Sequence, residues 1–252
     1  AFSAHARACG LIPGERVLIV GAARLGVAVA ILGAIGAGLE PVVAPAHLSP
    51  ATLAFLAQST AAAAIIGPTR FGAFDAEKAM LEIAATAPGV RLLGSLGPGE
   101  CDGAVDFSPA GLRDPVAADA FGAKPAAPPR IGLVLAPEQK APRAIFVSQS
   151  EIVAIALNFA SRLRLNAERP ILSTLSPASL AGLATGPVAA LLVGAPLTWF
   201  GPFEAESFVA TLEAAGPCHL IAPEAVAADL AAAGLIAPAR LESLSLSTRD
   251  GA

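Results

Sequence analysis

Arg143 is the residue whose setting in this sequence most suggests ligand chemistry. It stands on the far side of a loop, Leu135-Ala136-Pro137-Glu138-Gln139-Lys140-Ala141-Pro142-Arg143, between two apolar runs, Ile131 to Leu135 and Ala144 to Val147. A strand feeding a loop with a cation on its far side is a common cradle for phosphate. Such a cradle also needs glycines, backbone N–H groups turned inward, and hydroxyls. Between Leu135 and Arg143 there is no Gly, Ser or Thr, Pro137 and Pro142 have no N–H to offer, and Glu138 repels an anion. On these residues alone, Arg130 to Ser148 reads as a surface hairpin.

Two further segments carry chemical possibilities. Gly21-Ala22-Ala23-Arg24-Leu25-Gly26 follows a short strand and imitates a dinucleotide fingerprint with alanine at the middle glycine. A dinucleotide fold also wants an acid at the end of its second strand, but Val42-Val43 runs into Ala44-Pro45-Ala46, and Glu40 sits at the beginning of that strand. The segment reads as an ordinary strand-to-helix turn. Leu175 to Leu183 is a polar-capped start to a small-residue helix, and no nucleophile-elbow glycine pattern surrounds Ser179 or any other serine. Cys9, Cys101 and Cys218, like His5, His47 and His219, are scattered and match no metal or redox spacing. The cysteines read as small apolar thiols and no zinc chemistry is expected.

The elements that must position these residues alternate. Glu15 to Val20 is a β-branched run followed by a small-residue helix to Gly36, then a strand at Pro41 to Val43. Ser49-Pro50 gives a helix start with the hydroxyl as N-cap and proline in the first turn. A strand at Ala62 to Ile66, a helix at Asp75 to Thr86 and a strand at Val90 to Leu93 follow, before the pattern dissolves between Gly94 and Pro129. A second series opens at Ile131 and continues through a long helix, Gln149 to Leu165, to a last strand at Leu241 to Leu246. Alternating strand and helix predicts parallel sheet flanked by helices. The expected organisation is α/β in two lobes, residues 1–129 with a Pro/Gly/Ala-rich connector and residues 130–252 carrying the altered loop.

Composition narrows the classes. With 55% hydrophobic and 14% charged residues the chain gains enough from burial to fold. A net charge of −4, with thirteen arginines and three lysines scattered singly, leaves no basic stripe, so no nucleic-acid partner is expected. Pro170 to Phe203 carries no charge, but Pro177, Pro187 and Pro196 interrupt it, so no membrane span is expected. No secretion signal opens the chain and the expected compartment is the cytoplasm. The only methionine is Met80, so Ala1 is not expected to be the native start.

In order and spacing the chain resembles the front part of the large domain of adenylate-forming enzymes, the acyl-CoA synthetase and AMP-binding family. Gly10-Leu11-Ile12-Pro13-Gly14-Glu15-Arg16-Val17 is similar to the family's Gly-x-x-Pro-Gly-Asp-Arg-Val, and Leu32 to Gly38 resembles its Leu-Gly-x-x-x-Ala-Gly. Ala141 to Gln149 looks like the tail of the family's phosphate loop, Pro-Lys-Gly-Val followed by Ser-His, while His219 to Pro223 resembles its Thr-His-x-x-x-x-Pro strand. The resemblance implies an enzyme that activates a carboxylate with Mg-ATP and passes the acyl group to a thiol such as coenzyme A.

The departures fall on the chemistry. Where the family has Thr-Ser-Gly-Thr-Thr-Gly, this chain reads Leu135-Ala136-Pro137-Glu138-Gln139-Lys140, and Arg143 replaces the loop's lysine. Gln149 and Ser179 stand where the family often has histidines, and Ala252 precedes the family's adenine-binding stretch, ribose-binding acid and C-terminal lid. Carried over residue by residue, the resemblance implies a remnant nucleotide site at Glu138, Gln139, Lys140, Arg143 and Ser148, and a substrate pocket at Ser179, Gly182, Ala222 and Pro223. No catalytic residue and no metal ligand is expected. The chain alone is expected to take no cofactor and to be impaired in ATP-dependent activation, serving as a binding or scaffold module for an acyl or carboxylate ligand or a protein partner. The alternative is part of an active acyl-CoA or acyl-carrier ligase, using ATP, Mg and coenzyme A, whose site is completed by further sequence.

Overall fold

The computed structural model describes residues 2–21, 24–68, 70–71, 74–97, 103–108, 111–113, 128–135, 142–201, 203–236 and 241–247. The chain divides into two compact units, Ala1–Gln149 and Ser150–Ala252.

The first unit begins with α1 (Phe2–Ala8), β1 (Arg16–Gly21), α2 (Leu25–Gly36), β2 (Glu40–Pro45), α3 (Pro50–Ser59) and β3 (Ala62–Gly67). A two-stranded ribbon, β4 (Arg70–Phe71) and β5 (Phe74–Asp75), leads to α4 (Ala76–Thr86), β6 (Leu92–Ser95), β7 (Val105–Asp106), β8 (Arg130–Leu135) and β9 (Arg143–Ser148). The sheet order is β7-β6-β3-β1-β2-β8-β9, and every pair is parallel except the β8–β9 hairpin. Because β2 and β3 flank β1 on opposite sides, right-handed crossovers put α2 and α3 on opposite faces. Leu18, Val20, Val42 and Ala44 meet Leu53, Leu56, Met80 and Ile83 on the α3 and α4 face.

Local signals behave as their chemistry dictates. Ser49 Oγ accepts the Thr52 N–H at 3.2 Å and Pro50 opens α3, the cap the sequence announces. The strand expected at Val90 to Leu93 runs instead from Leu92 to Ser95, with Gly94 inside it. Gly94 does not break the strand: it makes room for Phe107, whose Cδ2 would lie 2.8 Å from a Cβ there.

The boundary expected between residues 129 and 130 is corrected. β8 pairs with β2 through Val42↔Gly132 and Val43↔Leu133, so the hairpin completes the first sheet. Side chains bind it there as well. Glu40 accepts from Arg16 Nε and Arg130 Nε, each at 3.2 Å, and both guanidiniums lie over the Phe146 ring. Gln149 Nε2 donates to Pro129 O at 2.9 Å, closing the hairpin's open end.

The second unit comprises all but the first residue of α5 (Gln149–Leu163), then β10 (Ile171–Ser173), α6 (Leu180–Leu183), α7 (Ala189–Val193), β11 (Leu197–Trp199), α8 (Ala205–Ala215), β12 (Cys218–Pro223), α9 (Ala227–Ala232) and β13 (Leu241–Ser247). Its sheet order is β11-β10-β12-β13, all parallel. Ile171 and Ile221 pack with Ala156, Ala160, Ala189 and Ala190 on the α5 and α7 face, while Leu172, Leu220 and Ala222 pack with Phe208, Leu212 and Leu230 on the other. The small-residue helix that opens within Leu175 to Leu183 is divided by a π-helical turn at Ala184–Val188 around Pro187. Proline has no N–H for the regular ladder and its ring crowds the carbonyl four residues back, so the turn widens.

Candidate functional site

In open parallel sheets, ligands bind beyond the carboxyl ends of the strands, where successive connections leave in opposite directions. In the first unit Gly21, Pro45, Gly67, Ser95 and Leu135 end their strands on that side, and Arg143 starts β9 there, opposite Leu135. The Leu135-to-Arg143 loop therefore leaves the ligand-binding end of the sheet. Glu138, Gln139 and Lys140 lie outside the described residues. Arg143 is exposed.

Ser148 is elsewhere. It ends β9 opposite Arg130, at the amino ends of the parallel strands. Five residues of antiparallel strand put it about 17 Å from Arg143. One phosphate cannot touch both residues.

The loop departs in composition from a phosphate cradle. Its composition offers no hydroxyl and no glycine, and puts a carboxylate beside the lysine. Anion cradles of this kind rely on convergent backbone N–H groups, which prolines reduce. Among the described residues no group of three or more His, Cys, Asp and Glu could hold a metal ion.

In the second unit the four expected pocket residues do share one end of the sheet. Ala222 and Pro223 end β12, while Ser179 and Gly182 open the helix that follows β10. The connections from β10 to β11 and from β11 to β12 leave β10 with partners on both sides, which makes the β10–β12 gap the switch point of this sheet. Thr174 N–H donates to Ile221 O across it at 3.0 Å.

Ser179 and Gly182 are fully engaged in building the turn. Ser179 Oγ accepts the Gly182 N–H at 3.0 Å and donates to Ser176 O at 2.9 Å. A Cβ on Gly182 would fall 2.1 Å from Ser176 O, a backbone atom with little freedom to move. Polar residues the sequence reading passed over belong here too. Ser173 Oγ accepts from Leu175 N, and Ser176 Oγ accepts from Ala178 N. A run of four Ser and Thr residues among 173–179, directly after a strand, is the signal that marks them.

Trp199, the last residue of β11, adds an unexpected feature. Its buried Nε1 has no hydrogen-bond partner among the described residues, and a Cβ on Gly186 of the π-turn would lie 3.3 Å from it. Burial pushes the Cys218 thiol up to about 11 and raises that of Cys9, while Cys101 lies outside the described residues. Among the described residues no helix is long and apolar enough to cross a membrane.

No family model matches the sequence, and no curated protein matches it. Solved structures do match the fold. The chain is similar to Mycobacterium smegmatis MbtA in its apo structure, at 24% identity and a TM-score of 0.73 over 87% of this chain and 41% of that one. It is similar to the anthranilate CoA ligase AuaEII, solved in complex with anthranoyl-AMP, at 17% identity and a TM-score of 0.78 over 95% of this chain and 46% of the ligase. A benzoate CoA ligase from Burkholderia xenovorans LB400 matches at 22% identity and a TM-score of 0.68, over 98% of this chain and 48% of that one. The chain thus spans less than half the length of each of these three proteins. The expected fold holds: α/β, with mainly parallel sheet flanked by helices, as in the large domain of adenylate-forming enzymes.

Proposed function

We propose that this chain is an acyl-CoA synthetase-like, adenylate-forming homologue impaired in ATP-dependent carboxylate activation, which serves as a binding or scaffold module for an acyl or carboxylate ligand or a protein partner. The fold likeness to ligases supports the family half of this reading. The observation that carries the impairment is the donor chemistry of Leu135 to Lys140, at the loop that leaves the carboxyl end of the first sheet. Adenylation needs donors and cations aimed at the departing pyrophosphate, and losing one such donor typically costs about 100-fold or more in rate. Here every glycine and hydroxyl of the loop is replaced.

An acyl group would be received at the capped turn from Ser176 to Gly182, which opens from the same end of the sheet as Ala222 and Pro223; this reading is supported by the turn's hydrogen bonds. Trp199 Nε1 is a buried polar group that lacks a partner among the described residues and belongs to a strand end. A second reading, part of an active ligase completed by further sequence, rests on Lys140 and on the exposed Arg143 at the loop's exit as the cations that would contact phosphate.

Carboxylate-dependent ATP–pyrophosphate exchange on the full-length gene product separates the two. The proposal expects exchange at the background rate across a panel of aryl and aliphatic acids. Robust exchange with any acid would establish the active-ligase reading instead.

A further inference from the structure

His219 lies in the second residue of β12, at the end of the strand away from Pro223, and is 4% exposed. Its Nδ1 is 2.8 Å from Ser243 Oγ on the neighbouring strand, where the register pairs His219 with Ser243. Its Nε2 is buried and has no partner among the described residues. A neutral ring in this position is best served by a proton on Nδ1, donated to Ser243 Oγ, because an unmet acceptor lone pair at Nε2 is less costly than an unmet buried N–H.

Among the described residues, strand β13 pairs with β12 alone. It is held there by the parallel ladder, by Leu241 and Leu244 against the α8 and α9 face, and by the His219–Ser243 bond. Outside the ladder, Arg169 Nε and Glu242 Oε1 pair at 3.1 Å, with both side chains about two-fifths exposed, so this ion pair adds little. We propose that His219 and Ser243 form an acid-sensitive latch: the neutral ring ties β13 to β12, and uptake of a second proton leaves a buried N–H without an acceptor and loosens β13 from β12.

The charges around the ring support this direction. Burial drives His219 below the ordinary histidine range, Glu242 on β13 pulls it up, and Arg169 ahead of β10 pushes it down. The residues packing on the same face from α5 and α7, Ala156, Ala160, Ala189 and Ala190, carry no charge. Since the folded pKa is depressed, the latch is fully closed above about pH 6.5 and loses stability as pH falls from there through the folded pKa. One proton of linkage raises the opening constant by at most about tenfold per pH unit in that window.

Hydrogen exchange of the β13 peptide in the full chain, corrected for the intrinsic pH dependence, tests the latch between pH 7.5 and 5. The expected result is a loss of protection at residues 241–247 approaching about tenfold per unit, with β1 unchanged, and no such loss in His219→Gln. Should His219→Gln not fold, two measurements on folded protein decide the matter. The loss of β13 protection must start near pH 6.5 and level off below the His219 ring midpoint followed by NMR, and Glu242→Gln must lower that midpoint and carry the loss to lower pH. Unchanged protection of β13 in the wild-type chain, a loss that continues unabated well below the ring midpoint, or equal loss in His219→Gln would each overturn the proposal.

Discussion

At the scale of single residues, Ser179 and Gly182 stand for two different expectations. The resemblance makes them pocket positions, while their hydrogen bonds make them the frame of a turn: Ser179 Oγ both donates and accepts, and Gly182 leaves room for the Ser176 carbonyl. Ser179→Ala is expected to cost about 1 kcal/mol as the loss of an N-cap. Gly182→Ala is expected to cost about 1–3 kcal/mol as overpacking against a backbone atom. Equilibrium urea unfolding measures both. A Ser179→Ala chain as stable as the wild type would remove the serine from the frame and return it to the pocket.

At the scale of elements, close approach of α1 and α2 depends on one missing side chain. A Cβ on Gly33 would lie 2.3 Å from Phe2 Cγ, and Phe2 in turn packs on Phe107 with ring centroids 4.8 Å apart. Alanine in a helix interior is favoured over glycine by about 1 kcal/mol, but here it must displace a buried aromatic ring at a cost of about 1–3 kcal/mol. Gly33→Ala is therefore expected to destabilise the chain despite its better helix propensity, and to increase hydrogen exchange in residues 2–8 before any in α3. A stabilised Gly33→Ala protein would show that α1 does not seat as described. The sequence revealed α2 by its small-residue run, and α1 went unread because Phe2–Ala8 is one short stretch whose burial depends on Gly33 and Phe107, far away in the chain.

At the scale of the whole molecule, the question is whether the altered loop retains any hold on nucleotide. Arg143 and Ser148 stand at the two ends of β9, Arg143 at the carboxyl end of the parallel strands. An exposed cation without convergent N–H donors holds an anion weakly. Calorimetry on the full-length protein is expected to detect no Mg-ATP binding at micromolar concentrations. Micromolar affinity would mean that residues 136–141 gather donors their composition does not advertise, and the impaired reading would fall with that result.

Much of the architecture was written in short-range signals. The alternation of β-branched runs with capped, small-residue helices, the Ser49-Pro50 start and the loss of loop hydroxyls after Leu135 are all local, and local chemistry reads them. Tertiary structure decided what depends on distant partners. It attached the hairpin to the first sheet, because Val42 and Val43 offer β8 an edge and Glu40 binds Arg16 and Arg130 together. It set Ser148 at the opposite end of β9 from Arg143, because an antiparallel strand carries its two ends to opposite sides of a sheet. And it turned His219, one scattered histidine among three in the sequence, into a buried ring bound to Ser243, because strand register across 24 residues is settled only when the sheet forms.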